Sequence, residues 1–272
     1  MEKFIGSRHA FAESGVVVLP VPYEKTVCYM PGTAKGPAAI IEASLQLESF
    51  DAELGYEIDK KVKIHTAKEV GYEKLEKSVS DIVQKNKLPV ILGGEHSITV
   101  PPVKACAKRY RDLSVLQIDA HADLRDEYRG DRNSHACVMR RIREITKRTV
   151  QVGIRDMSIE ESEYIEREGI RGAVYGTDFD AGKIIKRLSD NVYITIDLDG
   201  FDPSEVPAVG TPQPGGLHWP EVVSLLKKVS EKKNIVAFDV VELAPIKGQV
   251  ASDFLAAKLA YKLMGYSTAK SK

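Results

Sequence analysis

The sequence predicts an α/β fold, in which helices cover both faces of a mostly parallel sheet. Short apolar runs rich in β-branched residues end at Gly, Pro, Asp or Asn, which is typical of strands buried on both faces. Amphipathic stretches separate these runs, and such alternation favours parallel strands joined by helices. Apolar residues make up 43% of the 272 residues, which is enough for a large core.

Six strands and four helices are predicted along the chain. The strands are Val16–Leu19, Leu88–Leu92, Leu113–Ile118, Val150–Gly153, Val192–Ile196 and Ile235–Val240. The helices are Tyr72–Lys85, Pro102–Arg109, Ser158–Glu168 and Pro220–Lys228. Pro37 is expected in the first turn of another helix, and the tail from Ser267 is expected to fray. The sequence has neither a repeat nor a low-complexity linker, so a single domain over residues 1–272 is predicted.

Charge and cysteine content narrow the class of protein. Lys plus Arg and Asp plus Glu number 39 each, so no net charge attracts nucleic acid or an anionic membrane. Cys28, Cys106 and Cys137 are odd in number and widely spaced, which argues against a disulfide framework and favours a reducing compartment. The sequence begins without the apolar segment of a signal peptide, and its apolar runs are too short to span a membrane. We therefore expect a cytoplasmic protein with a small-molecule partner.

Ligands of open parallel sheets bind beyond the carboxyl ends of the strands, and three predicted strand ends are polar. The first reads Leu92-Gly93-Gly94-Glu95-His96. The glycines allow a sharp turn and a close approach of the backbone. A single histidine after two glycines is more often structural than a ligand, so this motif is weak by itself.

The second strand end, D-x-H-x-D, carries Asp119, His121 and Asp123 after an apolar strand. In an extended chain these three side chains share one face, which brings potential metal ligands together. The alternative is a cluster of caps and salt bridges. That alternative leaves two carboxylates close together without a cation, which is costly, so the pattern favours a metal site.

The third strand end carries Asp197 and Asp199, which again share a face, whereas Leu198 is expected to point into the core. An Asx-rich turn would explain this motif alone. Asp202 is expected to support the loop rather than to bind metal. The combination of three such strand ends is what indicates a metal centre.

Six candidate ligands result, four carboxylates and two imidazoles, and none is a thiolate. They are His96, Asp119, His121, Asp123, Asp197 and Asp199. Oxygen ligands with some imidazole favour Mn²⁺ over zinc or copper. Six side chains exceed the need of one ion, so two ions roughly 3.5 Å apart are predicted, with a bridging water of lowered pKa.

At this point the sequence resembles the ureohydrolase (arginase and agmatinase) family, and agmatinases most. The matching segments, spread over nearly the whole chain, are V-P-Y-E-K-T, P-G-T-A-K-G-P-A-A-I, G-G-E-H-S, I-D-A-H-A-D-L-R-D, N-S-H-A, V-G-I-R, T-I-D-L-D-G-F-D-P-S, G-T-P-Q-P-G-G-L and D-V-V-E-L-A-P. The resemblance implies a three-layer α/β/α fold with an eight-stranded, mostly parallel sheet. It also implies a homotrimer or homohexamer.

The resemblance assigns a role to each site residue. One Mn²⁺ would be bound by His96, Asp119, Asp123 and Asp197, and the other by His121, Asp119, Asp197 and Asp199, so that Asp119 and Asp197 bridge. A metal-bridging hydroxide would attack the guanidino carbon, with Asp123 hydrogen-bonded to it. His135 would shuttle a proton to the leaving amine, and Glu242 would pair with the guanidinium. Without the metal motifs, His135 would be interpreted as a polar residue at the start of a helix, and Glu242 as a solvent-exposed residue at the end of a strand.

Agmatine is the expected substrate, giving putrescine and urea. Arginases hold the α-amino group of arginine with an Asp at the position of Ser158, so the arginase arrangement is absent here. Aminopropylagmatine, which shares the guanidino end, remains an alternative, as does a guanidino acid (arginase or formiminoglutamase activity). A metal-dependent deacetylase or phosphoesterase and a non-catalytic binding module are the other hypotheses.

Overall fold

The computed structural model describes residues 2–269, which form a parallel sheet covered by helices on both faces. The strands are β1 Val16–Val21, β2 Phe50–Asp51, β3 Tyr56–Glu57, β4 Ile64–Thr66, β5 Leu88–Gly93, β6 Ser114–Ile118, β7 Thr149–Val152, β8 Asn191–Asp197 and β9 Asn234–Val241. The helices are α1 Gly36–Ser44, α2 Ile58–Val62, α3 Tyr72–Val83, α4 Val100–Arg109, α5 Val138–Ile145, α6 Ile159–Arg167, α7 Ala181–Arg187, α8 Trp219–Lys232 and α9 Ala251–Thr268. Strands β2 and β3 form a separate antiparallel pair.

The main sheet has the strand order β4-β1-β5-β9-β8-β6-β7, and every neighbouring pair is parallel. Because the strands are parallel, all their carboxyl ends lie at one edge of the sheet. The four central strands, β5, β9, β8 and β6, are adjacent. Their carboxyl ends are followed by His96, Glu242, Asp199 and Asp119 respectively. The topology therefore brings every polar strand end of the sequence to one place.

Two hydrophobic clusters, one on each face of the sheet, establish the three layers. Val16 and Val18 pack into the cluster that includes α1, α8 and α9, whereas Val17 and Leu19 pack into the cluster that includes α3, α4 and α5. This alternation along β1 follows the two-residue period of a strand. The three-layer α/β/α arrangement predicted from the resemblance is confirmed.

The prediction of eight strands is wrong, because the described residues form a main sheet of seven. Beyond β7, a single parallel bridge joins Gln151 to Val174, and Tyr175 donates its backbone N–H to the carbonyl of Gln151. The chain continues with Gly176, Thr177 and Asp178, and Gly and Asp favour turns over strands. A full eighth strand therefore does not form at this edge.

The six predicted strands and four predicted helices are all present, with bounds that differ by a few residues. The sequence pattern missed β4 and the β2–β3 pair because segments of two or three residues carry no periodicity. Pro37 lies in the first turn of α1, as predicted. Ser267 and Thr268 belong to α9, so the fraying predicted from Ser267 is wrong for them, and residues 270–272 lie outside the described residues. No helix between residues 2 and 269 has the length and apolarity that a membrane crossing requires.

Candidate metal centre

His96 reaches the centre through the turn that follows β5. The backbone of Gly94 passes so close to the backbone of Tyr23 that a Cβ atom at position 94 would overlap the Tyr23 carbonyl oxygen. This close approach explains the second glycine of the motif. His96 then begins a short 3₁₀ helix, His96–Thr99, and its side chain is 1% exposed.

The segment from Asp119 to Asp123 bends instead of continuing the strand. Strand β6 ends at Ile118, His121 forms an isolated parallel bridge with Asp156, and Asp123 adopts a left-handed backbone conformation with φ of 52°. The prediction that an extended chain brings all three side chains to one face is therefore wrong for Asp123, although the three side chains do converge. Asp119 is held by hydrogen bonds of 2.6 Å from Gln117 Nε2 and from the backbone N–H of His121.

Asp197 and Asp199 are also arranged by a turn. Asp197 ends β8, and its Oδ1 accepts the backbone N–H of Asp199 at 2.9 Å, at the start of the 3₁₀ helix Leu198–Gly200. Leu198 is fully buried, as predicted. Asp202 accepts three backbone N–H groups, those of residues 204, 215 and 216, so its predicted role in supporting the loop is confirmed.

The six predicted ligands meet in one cluster. His96 Nδ1 lies 3.1 Å from an oxygen of Asp119, 3.1 Å from one of Asp123 and 3.2 Å from one of Asp197. His121 Nδ1 lies 2.9 Å from Asp199 Oδ2 and 3.7 Å from Asp119 Oδ1. Two groups of potential ligand atoms result, His96 with Asp119 and Asp123, and His121 with Asp119 and Asp199. Asp119 belongs to both, as a bridging ligand would.

The hydrogen bonds of His96 identify which ring nitrogen faces the carboxylates. Thr195 Oγ1 donates to Asp239 Oδ1 at 2.6 Å, and His96 Nε2 lies 2.8 Å from the same Thr195 oxygen. A hydroxyl has one proton, so Nε2 carries the hydrogen of this contact, and Nδ1 is the ring nitrogen that faces the carboxylates. Nδ1 is buried, has no hydrogen-bond partner and lies close to three carboxylate oxygens. A metal cation held by these atoms would offset the negative charge and use the lone pair of Nδ1.

The electrostatics of the cluster favour the same occupant. Burial and the charge of Asp119 raise the pKa of Asp123 to about 7, and burial with Asp199 and Asp119 raises the pKa of Asp197 well above its usual range. Burial opposes protonation of His96, but the carboxylates outweigh it and raise its pKa. Without metal, the cluster therefore binds protons to offset its charge. The oxygen and imidazole ligands fit a pair of divalent cations, which would displace those protons.

His135 and Glu242 line the same cavity as the cluster. Burial lowers the pKa of His135, so its ring is neutral near pH 7. Glu242 also has a left-handed backbone, with φ of 67°, and its Oε1 accepts the backbone N–H of His96 at 2.6 Å. Burial raises the pKa of Glu242 to about 8. A cationic partner in the cavity would stabilise the charged form of this buried carboxylate.

The wall of the cavity includes Ser158, whose side chain accepts the backbone N–H of Glu161 and caps α6. Glu161 completes a capping box and accepts the backbone N–H of Leu124 at 2.9 Å. Asp156 lies at a more exposed point of the wall and accepts a hydrogen bond from Gln213. These residues form one side of the cavity wall, at and just before the start of α6.

Sequence reasoning missed several residues that hold the ligands in place. Gln117, Thr195 and Asp239 are polar residues inside apolar strands, and that interruption was the available signal. Arg155 spans two loops, because its guanidinium donates to the carbonyls of Asp199 and of Gln213, both at 2.7 Å. It also donates to the carbonyls of residues 153, 200, 201 and 214. No local sequence pattern indicates that arrangement.

Comparisons with known proteins agree with this architecture. The model of the arginase family matches residues 14–265. The N(1)-aminopropylagmatine ureohydrolase of Synechocystis sp. is 38% identical over 276 residues, 94% of this chain and 90% of that protein. The agmatinase of Pyrococcus horikoshii is 36% identical over 269 residues, 94% of this chain and 93% of that protein. The crystal structure of agmatine ureohydrolase of Thermoplasma volcanium superimposes with a TM-score of 0.87 at 31% identity, covering 98% of this chain and 94% of that one.

Proposed function

The chain belongs to the arginase family, and we propose that it is a binuclear manganese ureohydrolase that releases urea from agmatine. One observation carries the proposal. The buried Nδ1 atom of His96 faces oxygens of Asp119, Asp123 and Asp197, and Asp119 joins this group to His121 and Asp199. Oxygen and imidazole ligands in this number favour two Mn²⁺ ions.

When bound, two such ions would lower the pKa of a water molecule and so supply a nucleophile at neutral pH. His96, Asp119, Asp123 and Asp197 would hold one ion. His121 and Asp199, with Asp119 and Asp197 shared, would hold the other. Asp123 would also accept a hydrogen bond from the nucleophilic water. Distances support grouping Asp123 and Asp197 with His96, Asp199 with His121, and Asp119 with both. The sharing of Asp197 with the second ion follows the resemblance to the ureohydrolase family.

Glu242 is proposed to pair with the guanidinium of the substrate. Its Oε1 is fixed by the backbone N–H of His96, which orients the carboxylate at the cavity. A planar cation beside this carboxylate restores the charged form that burial disfavours. In this pose the guanidino carbon would lie next to the ligand cluster, because the backbone of His96 donates to Glu242 and the ring of His96 belongs to the cluster.

His135 is proposed to move the proton. Water adds to the guanidino carbon, and its proton passes through the neutral ring of His135 to the substituted nitrogen. The bond between that nitrogen and the guanidino carbon then breaks. The products are urea and the free amine, which is putrescine when the substrate is agmatine.

N(1)-aminopropylagmatine is the second candidate substrate. Relatives at 37% to 38% identity carry that name, and the agmatinase at 36% is nearly as similar. Ser158 replaces the carboxylate that would hold the α-amino group of arginine, which disfavours arginine. The partner is therefore a small cationic guanidino compound. We further propose a homotrimer or homohexamer, to be measured by analytical ultracentrifugation.

The test is urea release from agmatine, N(1)-aminopropylagmatine, arginine and guanidinobutyrate, with manganese added. We expect turnover of agmatine or of its aminopropyl derivative. For arginine and guanidinobutyrate we expect kcat/KM to be at least tenfold lower than for the better of these two substrates. Glu242→Gln should retain metal and lose most of kcat/KM, because an amide cannot pair with the guanidinium as a carboxylate does. A metal-loaded protein that releases no urea from the first two compounds refutes the proposal.

A further inference from the structure

Glu95 is a fully buried carboxylate that the reaction described above does not use. It accepts four hydrogen bonds. Oε2 accepts the backbone N–H groups of Lys25 at 2.5 Å and Thr26 at 2.6 Å. Oε1 accepts the hydroxyls of Thr26 at 2.8 Å and Ser97 at 2.5 Å. All the lone pairs of the carboxylate are thus engaged, and it is bound to the loop that follows β1.

Thr26 connects this carboxylate to His135. The backbone N–H of His135 donates to Thr26 Oγ1 at 3.1 Å, and His135 Nδ1 lies 3.0 Å from the same oxygen. A hydroxyl offers one proton and two lone pairs. The proton goes to Glu95, one lone pair accepts the backbone N–H, and the other accepts a hydrogen on Nδ1. A Thr26 proton turned towards His135 would instead set a hydroxyl lone pair against the Glu95 carboxylate.

We propose that Glu95, acting through Thr26, is a positioning residue for His135, holding its ring with the hydrogen on Nδ1 and the lone pair on Nε2. Within residues 2–269, no side chain or backbone group hydrogen-bonds Nε2, and the ring lines the cavity of the ligand cluster. Nε2 is therefore the atom that exchanges protons with a bound substrate. This proposal rests on the proposed function, because only in that reaction does His135 transfer a proton between water and the substrate.

The opposite tautomer would not serve the reaction. With the hydrogen on Nε2, the neutral ring would present a donor to the cavity and could not accept a proton from the nucleophilic water. A freely rotating ring would spend part of its time in unproductive orientations. Tyr128 also touches His135 edge-on, with ring centroids 5.8 Å apart, but this contact cannot select a tautomer. The Glu95–Thr26 pair can, because Nδ1 is the only ring nitrogen that it contacts and Thr26 Oγ1 offers that nitrogen an acceptor. Ser134 Oγ lies farther from Nδ1, at 3.4 Å.

The tautomer can be measured without any assay of activity. We suggest ¹⁵N spectra of histidine-labelled protein, with Mg²⁺ in place of paramagnetic Mn²⁺ and His135→Asn to assign the signals. The expected result is a hydrogen on Nδ1 of His135 and a lone pair on Nε2. A hydrogen on Nε2, or equal populations of the two tautomers, overturns the proposal whether or not urea is released.

Two variants of Thr26 test the consequence for catalysis. Thr26→Val removes the hydroxyl at nearly constant shape, and we expect kcat to fall about tenfold to a hundredfold with KM and metal content within twofold of wild type. Thr26→Ser keeps the hydroxyl and should restore kcat to within about threefold. Thr146→Val, a half-buried threonine bonded to the carbonyl of Leu113 far from the cavity, is the matched control and should leave kcat unchanged. Unchanged kcat and tautomer in Thr26→Val would contradict the proposal.

Discussion

The ring of His96 is fixed by Thr195, whose hydroxyl oxygen lies 2.8 Å from Nε2 and donates in turn to Asp239. Two histidines at the cavity are therefore oriented by a threonine and a buried carboxylate. The two threonine–carboxylate pairs contact opposite ring nitrogens. Thr195 holds His96 at Nε2, so that Nδ1 faces the carboxylates, whereas Thr26 holds His135 at Nδ1. The difference matches the roles proposed above, a metal ligand for His96 and a proton carrier for His135.

Thr195→Val should weaken metal binding by roughly tenfold to a hundredfold, because the His96 ring loses the acceptor that fixes its orientation. The measurement is the metal dissociation constant, determined by competition with a chromophoric chelator. Thr195→Ser retains the hydroxyl and should bind metal nearly as wild type does. Equal metal affinity in Thr195→Val and wild type would show that the Thr195–Asp239 pair does not orient His96 for metal binding.

Asp119→Ala should remove both metal and activity, because this carboxylate belongs to both groups of potential ligands. Elemental analysis should find less than one ion per chain, and urea release should fall below detection. Circular dichroism should confirm that the variant is folded. Asp178→Ala, at an exposed position before α7, is the control and should keep both ions. Two ions retained in Asp119→Ala would contradict the assigned centre.

His135→Ala should slow turnover by roughly tenfold to a thousandfold while both metal ions stay bound, since the proposed role of the ring is to transfer protons and not to bind metal. The measurement is kcat for urea release, with metal content determined on the same sample. His218→Ala changes a histidine that is 52% exposed outside the cavity, and it should leave kcat within twofold. Loss of metal in His135→Ala would assign this residue to the centre instead.

Arg155→Lys should loosen the loops that carry Asp199 and Gln213, because an ammonium cannot reach six carbonyl oxygens at once. We expect a free energy of unfolding lower by about 2 kcal/mol and metal affinity lower by roughly tenfold. Urea denaturation and metal titration measure the two effects. Arg148→Lys, at an exposed position, should change neither. Wild-type values for Arg155→Lys would refute the role of the guanidinium.

Lys262→Met should lower the free energy of unfolding by about 2 kcal/mol, because Lys262 on α9 pairs with the buried Asp51 at 3.0 Å and with Glu53 at 2.8 Å. Burial opposes ionisation of Glu53, but hydrogen bonds from Lys227, Lys262 and Tyr266 outweigh it and lower the pKa of Glu53 from 4.5 to about 2. A lowered carboxyl pKa stabilises the fold fully above pH 4.5 and less as the pH falls towards 2.

The stability difference between wild type and Lys262→Met should therefore shrink below pH 4.5. Chemical denaturation at several pH values measures it, and kcat per folded molecule should stay unchanged. Lys232→Met, at the exposed end of α8, is the matched control and should cost little. A difference that grows on acidification would contradict the assigned ion pairs.

The sequence alone determined the architecture and the chemical character of the centre. Runs such as Ser114–Ile118 and Asn191–Asp197 are strands because they are suited to burial on both faces of a sheet. Acidic residues at their carboxyl ends need protons or a cation to offset their charge. The ligand types, two imidazoles and four carboxylates, are likewise properties of the sequence. Neither depends on how distant segments meet.

The tertiary structure decided how those ligands are held and aimed. Asp123 reaches the cluster through a left-handed turn, not through the alternation of a strand, and the eighth strand shrinks to one bridge at Val174. Thr195, Asp239, Glu95 and Arg155 act across the sheet and between loops, through contacts separated by tens of residues. Periodicity describes neighbours along the chain, so only packing could reveal which hydroxyl or carbonyl accepts each of these hydrogens.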